Sequence, residues 1–166
     1  MTYHGKFQPR NIKKYQGDAT KVIYRSLWER NVMRWLDANK SVEWWNSEEL
    51  VVPYRCKTDN RVHRYFLDFA VKFKEGPIYV IEVKPSAQTK RPVRKKGKAQ
   101  SKFIKEATTY TKNMSKWYAA RAYCEERGYV FEIWTQDTLE SLGIKVLSPA
   151  RKAKACKTKR KAKLPA

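Results

Sequence analysis

Asp68 and the triplet Glu82-Val83-Lys84 are the residues whose types and spacing best suit chemistry. Both fall within Arg64–Lys84, RYFLDFAVKFKEGPIYVIEVK, which reads as two apolar strands joined by a tight turn. Side chains alternate faces along a strand, so Glu82 and Lys84 point the same way. Carboxylates set among Phe66, Phe69, Val80, Ile81 and Val83 are costly to bury unless they are paired or bind a cation. Two carboxylates and an ammonium converging at a sheet edge suit a Mg²⁺ site that works on phosphate. Asp68 and Glu82 would hold the ion, which polarises a phosphoryl oxygen and acidifies a bound water. Lys84, a compact point charge, would orient that water or offset charge in the transition state. The competing reading is a structural ion pair between Glu82 and Lys84 or a nearby arginine. An acid-x-Lys triplet is a weak signal in a Lys-rich chain, but this one is unique among the 16 acids.

The charge distribution points to the same substrate. Net charge is +21 over 166 residues. Lys84–Lys105 holds nine Lys/Arg and no acid, and Ser148–Ala166 holds eight and no acid. The other 125 residues carry only +4, as in an ordinary folded domain. The pattern is a folded body with two basic arms, and such arms mark polyanion partners, nucleic acid above all. Neither run has an apolar face, which argues against a membrane surface. No apolar run approaches a membrane span, and the polar N-terminus predicts no secretory signal. Cys56, Cys124 and Cys156 are odd in number and widely spaced, so a reducing compartment without disulfides or a zinc ribbon is expected. With only His4 and His63, a His-rich metal site and an HNH-type nuclease are disfavoured.

These residues need elements to position them. Residues 1–20 lack a period and read as an extended arm. Ser26-Leu-Trp-Glu29 matches a capping box, and Trp28, Val32 and Trp35 continue at helical spacing, so a helix is predicted from Ser26 to about Asn39. Leu50-Val51-Val52 predicts a strand that ends at Pro53, and Thr58-Asp59-Asn60 a turn. Tyr65, Leu67, Phe69, Val71 and Phe73 alternate as one strand interrupted by Asp68, and Lys74-Glu75-Gly76-Pro77 turns the chain. Ile78–Val83 is nearly continuous in apolar residues, the mark of a strand buried on both faces. A basic loop over residues 85–101 precedes a long helix from about Lys102 to Arg127, with Gly128 as its cap. Tyr129–Trp134 is a last strand, Thr138–Leu142 a short helix. From Ser148 the chain is a low-complexity basic tail expected to be disordered. The order is α-β-β-β-α-β. Trp44-Trp45 is read chiefly as core and His63 as surface.

That order, with Asp68 and Glu82-Val83-Lys84, resembles the PD-(D/E)xK, or restriction-endonuclease-like, nucleases. More specifically, the chain is similar to the T4-type phage head completion nucleases over about residues 1–147. The strings that carry this are GKFQPRN, YRSLWER, SVEWWNSEELVVPY, HRYFLDF, IEVKP, and TKNMSKW followed by AARAYC. Leu67 stands before Asp68 where the family pattern has proline. The resemblance implies an α/β fold with a mixed central sheet flanked by helices, an N-terminal arm over residues 1–20, a nuclease domain over 21–147 and a basic tail over 148–166. It implies a Mg²⁺-dependent (or Mn²⁺-dependent) deoxyribonuclease, endo- or exonucleolytic, of a tailed phage. Such an enzyme acts after DNA packaging and before head–tail joining, in the virion head or neck and, during assembly, the host cytoplasm. Its partners would be double-stranded DNA and head or neck proteins, with no membrane and no small-molecule substrate.

Glu29 would then join Asp68 and Glu82 as a metal ligand, although it also closes the capping box begun by Ser26. Asn113 and Lys116 on the long helix, and Arg94, Lys95 and Lys96 in the basic loop, are candidate DNA contacts. Two other functions fit parts of the chain. A non-catalytic DNA-binding or head-plugging protein would keep the fold without needing the intact trio. A ribosome-like RNA-binding protein would spread its basic residues over the body, contrary to the two-arm pattern.

Overall fold

The computed structural model describes residues 3–94, 96–97 and 99–146. In chain order its elements are β1 (Gly5–Lys6), a 3-10 turn at Ile12–Lys14, β2 (Ile23–Tyr24), helix α1 (Leu27–Ala38), β3 (Val42–Ser47), β4 (Val51–Arg55), β5 (Val62–Phe66), β6 (Phe69–Phe73), β7 (Ile78–Val83), the short α2 (Ser86–Thr89), α3 (Gln100–Glu125), β8 (Val130–Trp134) and α4 (Gln136–Ser141). The central sheet has the order β3-β6-β7-β8. Its β3–β6 and β6–β7 pairs are antiparallel, while β7–β8 is parallel, so the sheet is mixed. A parallel pair needs a crossover, and α3 supplies it. Taking α1, β3, β6, β7, α3 and β8 alone gives the αβββαβ order, but its first strand is Val42–Ser47 and not the strand expected at Leu50–Val52, which is β4 in the β4–β5 hairpin inserted between β3 and β6.

The hairpin corrects two strand expectations. Tyr65–Phe73 does not form one strand; it breaks at Leu67–Asp68, with β5 pairing β4 and β6 pairing the central sheet. The Leu67 N–H donates to the Leu50 carbonyl (3.0 Å) and the Glu48 N–H to the Asp68 carbonyl (3.3 Å), and these bonds steer the chain from one sheet to the other. Likewise Pro53 lies inside β4 instead of ending it. Proline is tolerated there because β4 pairs on one side only, with β5. The turn at Thr58–Asn60 and the strand Ile78–Val83 fall where the sequence places them. Gly128 caps α3 in the left-handed region (φ 66), with the Tyr129 N–H returning to the Cys124 carbonyl.

Helices cover both faces of the sheet. Val32, Met33 and Leu36 of α1 pack with Trp45, Phe69, Val71, Ile81 and Val83. Trp117, Ala120 and Cys124 of α3 pack with Val80 and with the hairpin residues Val52, Tyr65 and Leu67. Alternation along β7 therefore sends Ile81 and Val83 to the α1 side and Val80 to the α3 side, and Glu82 shares Val80's side. Trp45 is fully buried as expected, with Phe7 and Tyr15 edge-on to its ring at 6.0 and 4.9 Å, so the N-terminal segment closes this core. Among the described residues no helix is long and apolar enough to cross a membrane. The basic tail expected over 148–166 lies outside the described residues.

Candidate active site

The break between β5 and β6 delivers Asp68 to the end of β7. Phe69 pairs with Ile81, so a continued antiparallel ladder would place residue 67 opposite Val83. The chain has left the ladder by then, and the Asp68 carboxylate accepts the Val83 N–H instead, at 2.8 Å. The Lys84 N–H points the other way, to the Trp134 carbonyl of β8 (3.1 Å). Local hydrogen-bond accounting thus fixes Asp68 beside the two residues that flank Val83.

Glu82 is 2% exposed and still lies within 2.8 Å of the Lys84 ammonium through its Oε1. Its Oε2 is buried with no hydrogen-bond partner among the described residues. The structure therefore brings Asp68, Glu82 and Lys84 together, as the sequence predicts. Asp68 keeps some exposed surface, but its carboxyl is densely surrounded. Burial first, then the neighbouring Glu82, push it well above the usual carboxylate range. Burial acts to lower the Lys84 pKa, but Glu82 and Asp68 outweigh it and the net shift is upward, so the ammonium keeps its proton.

Two neighbouring carboxyl groups, one held above the usual range by burial and by the other's charge and the other with an unpartnered buried oxygen, are a donor set that a hard divalent cation fits. All the donors are oxygens, which suits Mg²⁺ or Mn²⁺ and not a soft ion.

Glu29 stands nearby, because its charge acts on both Asp68 and Lys84. Both its carboxylate oxygens are turned into the helix cap. Oε2 accepts the Arg25 N–H at 2.6 Å, Oε1 accepts the Ser26 hydroxyl at 2.9 Å, and the Glu29 N–H returns to Ser26 Oγ at 3.1 Å. Arg25 is tied to Glu48 by two bonds, of 2.6 and 3.0 Å. Glu48 sits in the left-handed region (φ 57) and donates its N–H to the Asp68 carbonyl. This chain of contacts links the start of α1 to the strand break.

On the α3 side, the Lys116 ammonium lies over the rings of Tyr65 (5.1 Å) and Tyr54 (5.9 Å). Asn113 is buried, and its Nδ2 has no partner among the described residues, nor do Tyr65 Oη and Trp117 Nε1. Tyr65 is the site residue that sequence reasoning misses. Its hydroxyl lies close to Glu82 and Trp117 without bonding geometry to either, and burial, then Glu82, push its pKa up. Strand alternation marks Tyr65 only as core. Arg94 and Lys96 are exposed on the basic loop, about a turn or more of chain before α3, and Lys95 lies outside the described residues.

Comparison with known proteins adds independent information. The family model described as TnsA-like endonuclease N terminal matches residues 39–136. The chain is similar to the head completion nuclease of Enterobacteria phage T4, with 41% identity over 148 residues, which covers 87% of this chain and 99% of that protein. The matched span runs from β3 through β8 and takes in Asp68, Glu82 and Lys84. The mixed sheet flanked by helices agrees with these matches, and the chain belongs to the TnsA-like endonuclease N-terminal family, on a restriction-endonuclease-like fold.

Proposed function

We propose that this chain is a divalent-metal-dependent deoxyribonuclease that cuts double-stranded DNA during phage head completion, with Mg²⁺ as its ion and Mn²⁺ able to replace it. One observation carries the reading: Asp68 and a nearly inaccessible Glu82 are held together in the interior, with Glu82 Oε2 left without a partner among the described residues. A purely structural role gives no reason to gather two carboxyl groups there, because the arrangement costs stability. A non-catalytic plug would likewise have no use for it.

Asp68 and Glu82 would hold the ion, with Glu29 joining once it leaves the helix cap. A bound divalent ion supplies Lewis acidity toward a phosphoryl oxygen and lowers the pKa of its water. Lys84 keeps its ammonium protonated beside the two carboxylates, so it acts as a fixed positive charge that orients water or offsets phosphorane charge, and not as the base. Asp68, anchored by the Val83 N–H, cannot swing away from the strand end. Lys116, Asn113 and the basic loop with Arg94, Lys95 and Lys96 would contact backbone phosphates. These contacts carry no base information and would give little sequence preference. The name of that phage relative, a head completion nuclease, supports a role in head completion; in this reading the chain works in the virion head or neck after packaging and before tail joining, assembles in the host cytoplasm and has head or neck proteins as partners.

Supercoiled plasmid incubated with the full chain in Mg²⁺, Mn²⁺ or EDTA tests the reading. Nicked or linear product with either ion and none in EDTA is expected, and the product form separates endo- from exonucleolytic action. Intact plasmid under all three conditions would overturn the proposal.

A further inference from the structure

Away from Asp68 and Glu82, the turn joining β4 to β5 gathers a different set of donors. Cys56, Asp59 and His63 each offer one ligand atom, and among the described residues theirs is the His/Cys/Asp/Glu group in which these atoms all lie within 4.8 Å of one another. The spacing is Cys-x2-Asp-x3-His within a single hairpin turn. Cys56 is 1% exposed, whereas the His63 and Asp59 side chains are 40% and 42% exposed. The cluster is therefore anchored on the core and open on one side to solvent.

The turn is already closed by its own backbone. Cys56 N–H donates to the Arg61 carbonyl and Asn60 N–H to the Cys56 carbonyl, both at 2.8 Å. Asn60 takes the left-handed conformation (φ 57) that the turn demands. Asp59 Oδ1 accepts the Arg61 N–H at 3.1 Å, and its Oδ2 lies 2.8 Å from His63 Nε2. The His63 ring lies against Tyr54, centroids 5.7 Å apart, which fixes its plane. The Cys56 thiol sits 3.0 Å from Thr58 Oγ1.

We propose that Cys56, Asp59 and His63 form a second metal site, suited to Zn²⁺ or a similar borderline transition ion, that clamps the β4–β5 hairpin. Thiolate sulfur with imidazole nitrogen selects such an ion over Mg²⁺ or Ca²⁺. Tetrahedral Zn²⁺ at about 2.0–2.3 Å from its ligands needs them about 3.3–3.8 Å apart. No separation here exceeds 4.8 Å, so any excess is at most about an ångström, which the two exposed side chains can close by small rotations. Thiolate, carboxylate and neutral imidazole together balance the two charges of the ion, so the site is neutral within a turn that also carries Arg55, Lys57 and Arg61. The thiol proton leaves to solvent on binding, and water completes the fourth position. The hairpin leads through Tyr65 and Leu67 directly to Asp68, so the clamp would stiffen the strand that presents Asp68. The site is independent of the nuclease reading, because it uses none of the same residues.

The test uses tag-free full chain, stripped with EDTA and dialysed against Zn²⁺ or Co²⁺. One tightly held equivalent is expected, with a thiolate-to-Co²⁺ charge-transfer band and a Zn²⁺-dependent rise in melting temperature. Cys124→Ala and Cys156→Ser should keep all three signals. His63→Gln, at an exposed position, should melt like wild type without metal yet lose more affinity than the roughly 10–100-fold that loss of an outer partner costs. Cys56→Ser should abolish the charge-transfer band. Absence of bound ion in wild type, or full binding by both His63→Gln and Cys56→Ser, would overturn the site.

Discussion

Glu29 is the residue on which the helix cap and the proposed metal site compete, and conservative substitution separates the two roles. In the structure its carboxylate accepts from the Arg25 N–H and the Ser26 hydroxyl. Removing both bonds in Glu29→Ala costs about 1 kcal/mol each, plus about 0.3–1 kcal/mol for losing a negative charge at a helix N-terminus. For a chain of this size each kcal/mol lowers the melting temperature by about 2–4 °C, so Glu29→Ala should melt roughly 4–12 °C lower. Glu29→Gln keeps its Oε1 for the Arg25 N–H and can donate its amide to Ser26 Oγ, whose hydroxyl is free to turn. It loses only the charge term, and its melting temperature should fall by no more than about 4 °C. A glutamine cannot replace an anionic metal ligand, so cleavage should drop by at least about 100-fold if Glu29 joins the ion. The assay is plasmid cleavage at saturating Mg²⁺ alongside thermal melting of the same three proteins. Normal cutting by Glu29→Gln would confine Glu29 to the cap, and a Glu29→Gln melt as low as that of Glu29→Ala would refute the hydrogen-bond argument itself.

Asp68→Asn should abolish cleavage yet melt at or above the wild-type temperature without metal, because it removes the repulsion between the carboxyl groups; Glu82→Gln should also abolish cleavage but melt lower, because it breaks the buried pair with Lys84. Mg²⁺ at 100 times its dissociation constant should stabilise wild type by about 2.7 kcal/mol, leave both variants unmoved, and lose its effect in EDTA. Lys84→Ala should cut poorly and, in the absence of metal, lose stability toward the low end of the roughly 3–5 kcal/mol typical of a broken buried pair, since its side chain is 28% exposed; added Mg²⁺ should restore part of that loss. Deleting Ser148–Ala166 should flatten the log–log salt dependence of DNA binding by about 0.9 for every phosphate that the tail no longer neutralises, with an unchanged slope assigning the tail to a protein partner. Burial pushes the Cys124 thiol up to about 11, with Arg127 opposing weakly. That raised value stabilises the fold fully below the ordinary thiol pKa, and the benefit fades as pH climbs toward 11; denaturant melts should therefore show the wild type losing ground to Cys124→Ala between pH 8.5 and 11, about the span of the two values.

Glu82 and Lys84 were legible because β7 is short, apolar and bounded by turn residues, so period two assigns both to one face. Ser26 and Glu29 were legible as a capping box; its Ser26 Oγ–Glu29 N–H bond forms, while the Glu29 carboxylate takes the Ser26 hydroxyl and the Arg25 N–H in place of the Ser26 N–H. The strand break at Asp68 was not, for a specific reason. Tyr65, Leu67, Phe69 and Val71 keep an unbroken alternation, yet Tyr65 and Leu67 face the α3 core while Phe69 and Val71 face the α1 core. Hydrophobic period reports that a residue is buried, not which of two cores receives it. Tyr65 was missed for the same reason, since its hydroxyl matters only once β5 is known to lie over Glu82. Cys56, Asp59 and His63 read separately as a lone cysteine, a turn residue and a surface histidine; only the closed hairpin makes them neighbours.

The break is also what makes the site. A continuous strand would have met the Val83 N–H with backbone and left Asp68 on one of the two sheet faces, one residue out of phase with its flanking core positions. Joining the ladder only at Phe69 frees that N–H, and the Asp68 carboxylate takes it in the plane of the sheet, between Glu82 and Lys84. Holding the chain in this crossing requires Glu48 at φ 57, a conformation that non-glycine residues adopt at a cost. Its carboxylate is fixed by Arg25, and Arg25 in turn presents the N–H that Glu29 caps. The backbone strain at Glu48, the cap of α1 and the position of Asp68 are therefore one connected arrangement. Arg25 itself is held chiefly by Glu48, with the charges of Glu29 and Asp68 acting on it as well. Arg25 thus links the start of α1 to the Asp68 carbonyl through Glu48, and not through either carboxyl group of the pair.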